Sequence, residues 1–324
     1  MKPNPTHRAS HSLPASGSRR SALNTLSRAA LSGSALAAAG WPLLSRAAPA
    51  AAPSRSGASV DPAPRLITVG GGITEVVYAL GAQDQLVATD TTSSHPAAAQ
   101  TTPKVGYMRQ LSAEGVLALR PSALVAGTDA GPPVVLDQLR SAGVTVELVE
   151  SDHSWEEVRR KVAAVGRATG RVQQASVLQT KLDAQWAAVR QRVQQRASAQ
   201  PPRVLFVLSH TGAPLVSGEA TAAHAMIGFA GARNAMGGFK GYRPLTAEAM
   251  AAAAPDLILI TNEGLEAVGG AEKFWQRPEL ALTPAYRRRT QAQTLVHLDA
   301  LELLGFGPRL PQVVQRLHQT VVGA

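Results

Sequence analysis

The 324-residue sequence contains no cysteine. That excludes a disulfide framework, a thiolate-ligated zinc or iron–sulfur centre, and a cysteine nucleophile. Aromatic residues make up only 4%, and just four of them are tyrosines. Acidic residues are missing from positions 1–60, although that stretch carries Lys2, Arg8, Arg19, Arg20, Arg28, Arg46 and Arg55. Several catalytic and metal signatures are missing as well: no G-x-S-x-G elbow, no G-x-x-x-x-G-K-[ST] loop, no H-E-x-x-H pair and no EF-hand loop. Triad hydrolysis, P-loop nucleotide chemistry and zincin-type catalysis therefore have no support in the sequence.

What is present begins with enough apolar residues, 45%, to fill real cores, so a wholly disordered chain is excluded. The length suits two lobes of ordinary domain size. The net charge of +10 would suggest a nucleic-acid or membrane-surface partner. Seven of the 32 basic residues lie before position 60, however, which leaves 25 against 22 acids. No nucleic-acid partner is expected. Residues 1–50 read as an export signal. Ser18-Arg19-Arg20-Ser21-Ala22-Leu23 precedes a weakly apolar run from Leu31 to Leu44, and small residues suited to cleavage fill Ala47–Ala52. The run is too short to span a bilayer as a permanent helix. The Arg pair resembles a twin-arginine signal, although Ala22 and Arg28 depart from it, and an ordinary secretory signal is the alternative. Residues 51–64, rich in Pro, Gly, Ala and Ser, read as a flexible tether.

From residue 65 the pattern alternates strands with helices. Strands are expected at Leu66–Val69, Ala123–Ala126, Val144–Leu148, Arg203–Leu208, Leu257–Ile260 and Leu295–Leu298. This alternation predicts α/β units with parallel sheets. Between the halves, Leu178, Leu182, Trp186, Val189 and Val193 recur at intervals of four, four, three and four. One helix face over roughly Val172–Ala199 follows, stopped by Pro201-Pro202. The expected organisation is a lobe over 65–170, a linking helix over 171–200 and a lobe over 201–324. A repeat supports two copies of one design: Gly106-Tyr107 through Glu114 is echoed by Gly241-Tyr242 through Glu248. Glu114 to Glu248 and Pro121 to Pro255 are both 134 residues apart. Two Rossmann-like lobes of this kind would face a shared ligand cleft at their carboxyl-terminal sheet edges.

Few residues carry an obvious chemistry. Gly70-Gly71-Gly72 after a strand invites a phosphate-cradle reading, but Glu75 breaks G-x-G-x-x-G. A tight turn into a helix capped near Thr74 is the simpler account. Tyr107 follows a glycine and precedes Arg109 by two residues. A nearby guanidinium favours the phenolate, a hard donor suited to Fe(III); a tyrosine with its ring in the core and its hydroxyl bonded fits the spacing equally. His210 follows the first strand of the second half, where that strand should open onto the cleft. It could ligate a metal there or cap a backbone carbonyl. His153, His224, His297 and His318 are expected to be structural or exposed. Arg287-Arg288-Arg289 could meet an anionic ligand or solvent.

The chain from about 65 to 320 resembles the haem-specific periplasmic binding proteins of bacterial ABC importers. The matching segments are V-G-Y-M-R-Q-L-S-A-E-G-V-L (Val105–Leu117), T-D-A-G-P-P (Thr128–Pro133), G-Y-R-P-L-T-A-E (Gly241–Glu248), A-A-P-D-L-I-L-I-T (Ala253–Thr261), L-T-P-A-Y-R-R-R (Leu282–Arg289) and L-L-G-F-G-P-R (Leu303–Arg309). The resemblance implies a helical-backbone metal-receptor fold and a periplasmic monomer that captures ferric haem without catalysing a reaction. It implies Tyr107 as axial ligand to the haem iron and Arg109 beside the phenolate or a propionate. His210 would be a second ligand or the holder of a second haem. Glu114 and Glu248, one per lobe, would dock onto a permease dimer, with an outer-membrane haem receptor upstream; acids favoured by a helix dipole explain their local position too. Tyr286 stands where that family carries a small residue and is expected to shape the cleft. A ferric siderophore or a corrinoid on the same fold, or a haem-modifying periplasmic enzyme, are the alternatives.

Overall fold

Apolar runs bounded by glycine and polar turns set the first sheet. In the computed structural model, which describes residues 64–209 and 214–323, four strands pair in the order β2-β1-β3-β4, all parallel. They are β1 (Leu66–Val69), β2 (Leu86–Thr89), β3 (Ala123–Gly127) and β4 (Thr145–Val149). The helices α1 (Gly71–Ala79), α2 (Ala113–Leu117), α3 (Pro133–Ser141) and α4 (Trp155–Ala168) cover it. The single helix α5 (Val172–Gln195) then leads to the second sheet, ending four residues before the expected Ala199. The export signal and nearly all of the tether lie outside the described residues. Among the described residues no helix is long and apolar enough to cross a membrane.

The second sheet contains β5 (Arg203–Leu208), β6 (Leu215–Ser217), β7 (Arg233–Asn234), β8 (Tyr242–Pro244), β9 (Leu257–Thr261) and β10 (Leu295–Leu298). Its order is β10-β9-β5-β6-β8, with β7 pairing β5. This sheet is mixed rather than purely parallel: β6 returns antiparallel to β5, and β8 is antiparallel to β6. The physical reason is connection length, because a short link between β5 and β6 permits only a hairpin. The helices are α6 (Ala222–Phe229), α7 (Ala247–Ala253), α8 (Asn262–Ala267), α9 (Gly270–Trp275), α10 (Pro284–Arg288), α11 (Ala300–Leu304) and α12 (Leu310–Gly323).

Val60–Ala324 form one compact unit, and the alternation of strand side chains explains why. Leu66 and Val125 of the first sheet join Val204, Phe206, Leu257 and Leu259 of the second in one buried cluster. The helices α1, α4, α5, α6 and α12 contribute to that cluster as well. The next residues along each strand point the other way, into a core private to each sheet. Ile67, Val69, Leu124 and Ala126 line one, and Leu205, Val207, Ile258 and Ile260 line the other. The periodic face of α5 is the hub: Leu182, Val189 and Val193 are buried, with Leu178 and Trp186 packed against the shared core. Trp186 stacks on Trp155 of α4 at 4.9 Å and meets Phe229 of α6 edge-on at 4.9 Å.

The glycine run opens α1 three residues earlier than expected. The helix begins at Gly71, with Gly70 at φ 112° as its cap, and Thr74 lies within it. The amide of Gly70 donates to Asp90 Oδ1 (2.9 Å) and that of Gly71 to Thr92 Oγ1 (3.0 Å). Side chains therefore occupy the donors that a phosphate would need. A Cβ on Gly71 would meet Thr92 O at 2.5 Å, and one on Gly72 would run into the backbone of Gly305. Close packing of α1 against the segment 301–307 is what requires glycine here. Glu75, one turn on, is buried and bound by both Nε (3.0 Å) and Nη2 of Arg309, which also reaches Glu302 at 2.8 Å. Burial pushes the Glu75 carboxyl above the ordinary carboxylate range, against the pull of Arg309.

Candidate functional site

Loops from three strand ends hold Tyr107. After β2, Val105 N bonds Thr89 O at 2.9 Å, and Gly106 turns the chain with φ 96°. The Tyr107 carbonyl accepts Gln110 N at 2.8 Å, closing the turn. The loop after β3 clamps it, since Gly131 N donates to Met108 O and Leu111 N donates to Gly131 O. Within this fixed turn the Tyr107 side chain is 43% exposed, so its ring is not spent on the core. Arg109, two residues on, pairs through Nη2 with Asp129 Oδ2 at 3.3 Å. Asp129 in turn accepts Ser151 Oγ at 3.0 Å, from the loop after β4. The carboxyl-terminal ends of β2, β3 and β4 thus converge on Tyr107 and Arg109, the edge at which open α/β sheets bind ligands.

Facing this edge is a residue of the second sheet. Tyr242, at the start of β8, is also exposed. Its phenol is nonetheless partly covered, and the resulting desolvation raises its pKa above the ordinary value, with the Arg109 guanidinium of the other lobe partly offsetting the rise. Arg109 of the first sheet's edge is therefore close enough to act on the phenol of Tyr242. His210 lies outside the described residues. Among the described residues, no group of three or more His, Asp or Glu could hold a bare metal ion.

A family profile described as periplasmic binding protein matches residues 66–290. The chain belongs to that family. Among solved structures, this periplasmic binding protein is similar to the periplasmic haem-binding protein BhuT in complex with two haems. Identity is 49%, with 80% of this chain and 98% of BhuT covered and a TM-score of 0.75. It is also similar to the apo form of the periplasmic haem-binding protein RhuT from Roseiflexus sp. RS-1, at 36% identity, 81% and 98% coverage and a TM-score of 0.75. Among curated sequences it is similar to the uncharacterized ABC transporter substrate-binding lipoprotein YvrC of Bacillus subtilis. Identity there is 25% over 250 residues, 76% of each chain.

Glu114 and Glu248 of this periplasmic binding protein occupy matching places. Each is exposed and second in a short helix, α2 capped by Ser112 and α7 capped by Thr246. Hydrogen bonds from its own backbone amide and from Thr246 hold the Glu248 carboxyl below the ordinary range. The other singled-out groups serve local structure. Arg287 and Arg289 bond carbonyls of their own segment, and Arg288 reaches the Asp256 carbonyl at 3.2 Å. The half-buried ring of Tyr286 packs against Trp275 and under Arg289. His318 bonds Ala230 O at 2.9 Å, and His297 bonds Asn262 at 2.8 Å. Asp129 and Tyr242 were already in the matched segments; what marks them is a partner 20 and 133 residues away, which no local pattern reveals.

Proposed function

We propose that this protein carries ferric haem in the cleft between its lobes, with the Tyr107 phenolate on the iron, and delivers it to an ABC-importer permease. The observation that carries the reading is an exposed tyrosine in a rigid turn at a strand-end edge, beside an arginine already fixed by a carboxylate. A hard anionic oxygen selects Fe(III), and the guanidinium two residues on suits the carboxylates of the porphyrin. Affinity beyond the iron bond comes from burying the porphyrin faces, at about 25 cal/mol per Å². The 49% identity to BhuT, solved in complex with two haems, supports the same ligand class. His210, after β5, is the proposed ligand on the opposite side or on a second haem.

Glu114 and Glu248 are proposed to meet arginines on a two-fold permease, each lobe offering one carboxylate. Residues 1–50 are proposed to direct export to the periplasm. Residues 65–170, 171–200 and 201–324 are proposed as lobe, linker and lobe of a monomer supplied by an outer-membrane haem receptor. The reading concerns binding and transfer, with no bond changed in the cargo. Titration with hemin tests it: a shifted Soret band and a phenolate-to-iron charge-transfer band are expected, both altered in Tyr107→Phe. An unchanged hemin spectrum, alongside binding of cobalamin or a ferric siderophore, would overturn it.

A further inference from the structure

Of the four tyrosines, only Tyr107 and Tyr242 are exposed, at 43% and 39%, while Tyr78 and Tyr286 are half-buried. Both exposed ones directly follow a glycine at positive φ, 96° at Gly106 and 79° at Gly241. They occupy the same place in the repeat that relates the lobes. We propose that Tyr242 is the second lobe's contact to the cargo, its phenol donating a hydrogen bond to an anionic oxygen of the ligand, a propionate in the case of haem, across the cleft from Tyr107. This rests on the haem reading above and adds to it a residue and a role.

Three features make Tyr242 a prepared contact rather than a loose surface ring. Its backbone is fixed on both sides: it pairs with Ser217 in the β6–β8 ladder, Gly241 N bonds Glu219 O at 2.9 Å, and Gly218 N bonds Gly241 O at 2.8 Å. The adjoining Arg243 is held over the Phe239 ring at 4.5 Å. A rigid aromatic loses little freedom when it binds. Second, the one guanidinium that follows Tyr107 also acts on the Tyr242 phenol, so a carboxylate between them would find a cation and an O–H together. Third, a neutral phenol offers an O–H donor to an oxyanion, and the partial covering of this one disfavours its phenolate.

The test compares the full protein with Tyr242→Phe. Both are loaded with hemin, and dissociation into an excess of a haem-scavenging globin is followed. Removing a hydrogen bond to a charged group should speed release roughly tenfold to a hundredfold, with the iron absorption bands unchanged. Hemin dimethyl ester, whose propionates cannot accept as anions, should leave both proteins at equal rates. Equal rates with free hemin, or an acceleration that persists with the ester, would overturn the proposal. The haem reading is judged separately on the wild type and Tyr107→Phe: no hemin band in the wild type sinks that reading and this proposal with it.

Discussion

Replacing Gly72 by alanine should destabilise the protein, although alanine is the better helix former. Gly72 sits in the first turn of α1, and a Cβ there would overlap the Gly305 carbonyl oxygen, with Gly305 C and Gly307 N each at 3.2 Å. The obstacle is backbone, so no side chain can swing aside. The segment that must yield also carries Phe306, 1% exposed, and leads into Arg309, the partner of Glu75. Helix propensity returns at most about 1 kcal/mol to alanine. Overpacking typically costs about 1–3 kcal/mol, and a rigid backbone contact belongs at or beyond the upper end of that range. The expected net loss is about 2 kcal/mol, which for a domain of this size lowers Tm by roughly 4–8 °C. Gly228→Ala is the matched control: it lies in α6 with nothing within 4 Å of its Cβ, so it should leave Tm unchanged or raise it. Thermal unfolding followed by circular dichroism reads both. A Gly72→Ala protein that melts at or above the wild type would refute the close-packing account of the glycine run.

Other consequences are testable in the same way. Asp183 Oδ1 accepts from Trp155, Arg159 and Gln179 at 2.8–3.0 Å; burial opposes ionisation, but these bonds outweigh it and hold the carboxyl below its ordinary value. Its contribution is therefore complete above about pH 4 and is lost as pH falls through the lowered folded-state value, so Asp183→Asn should cost more stability at pH 7 than at pH 3 in urea titrations. Asp129→Ala should free Arg109 and speed hemin release severalfold in stopped-flow exchange while Tyr107 still ligates; an unchanged rate counts against a role for the fixed guanidinium. Glu114→Ala with Glu248→Ala should leave hemin binding intact and abolish uptake into permease-containing vesicles, and undiminished uptake would remove the docking assignment.

Strands with both faces covered were the readable ones. Leu66–Val69 and Arg203–Leu208 match the apolar runs residue for residue, because a doubly buried strand writes itself as a continuous stretch. β8 reads Tyr-Arg-Pro and is fully exposed; an edge strand with a proline gives no such signal. α5 was visible because its spacing matches the helical period over five residues that all meet the shared core. In the candidate site, the turn and the neighbouring Arg109 left Tyr107 open between a core role and a ligand role, and only the resemblance to haem-binding proteins favoured the second. The Glu75–Arg309 pair, 234 residues apart, and the reach of Arg109 to Tyr242 exist only once the chain is folded. Local pattern carries the periodicity of an element and the chemistry of a turn, but not the partner that another lobe brings.

The buried cluster shared by the two sheets has a mechanical consequence. Because Val125 and Phe206 belong to one continuous apolar body, swinging the lobes apart would expose the same surface that holds the fold together. Opening and melting therefore draw on a common set of side chains. A mutation that widens the cleft should register as a lower melting temperature, and one that stiffens the hub should slow cargo release. In such a molecule the work of extracting the cargo falls to the machine that docks on it, with the carrier acting as a preset clamp rather than a hinge.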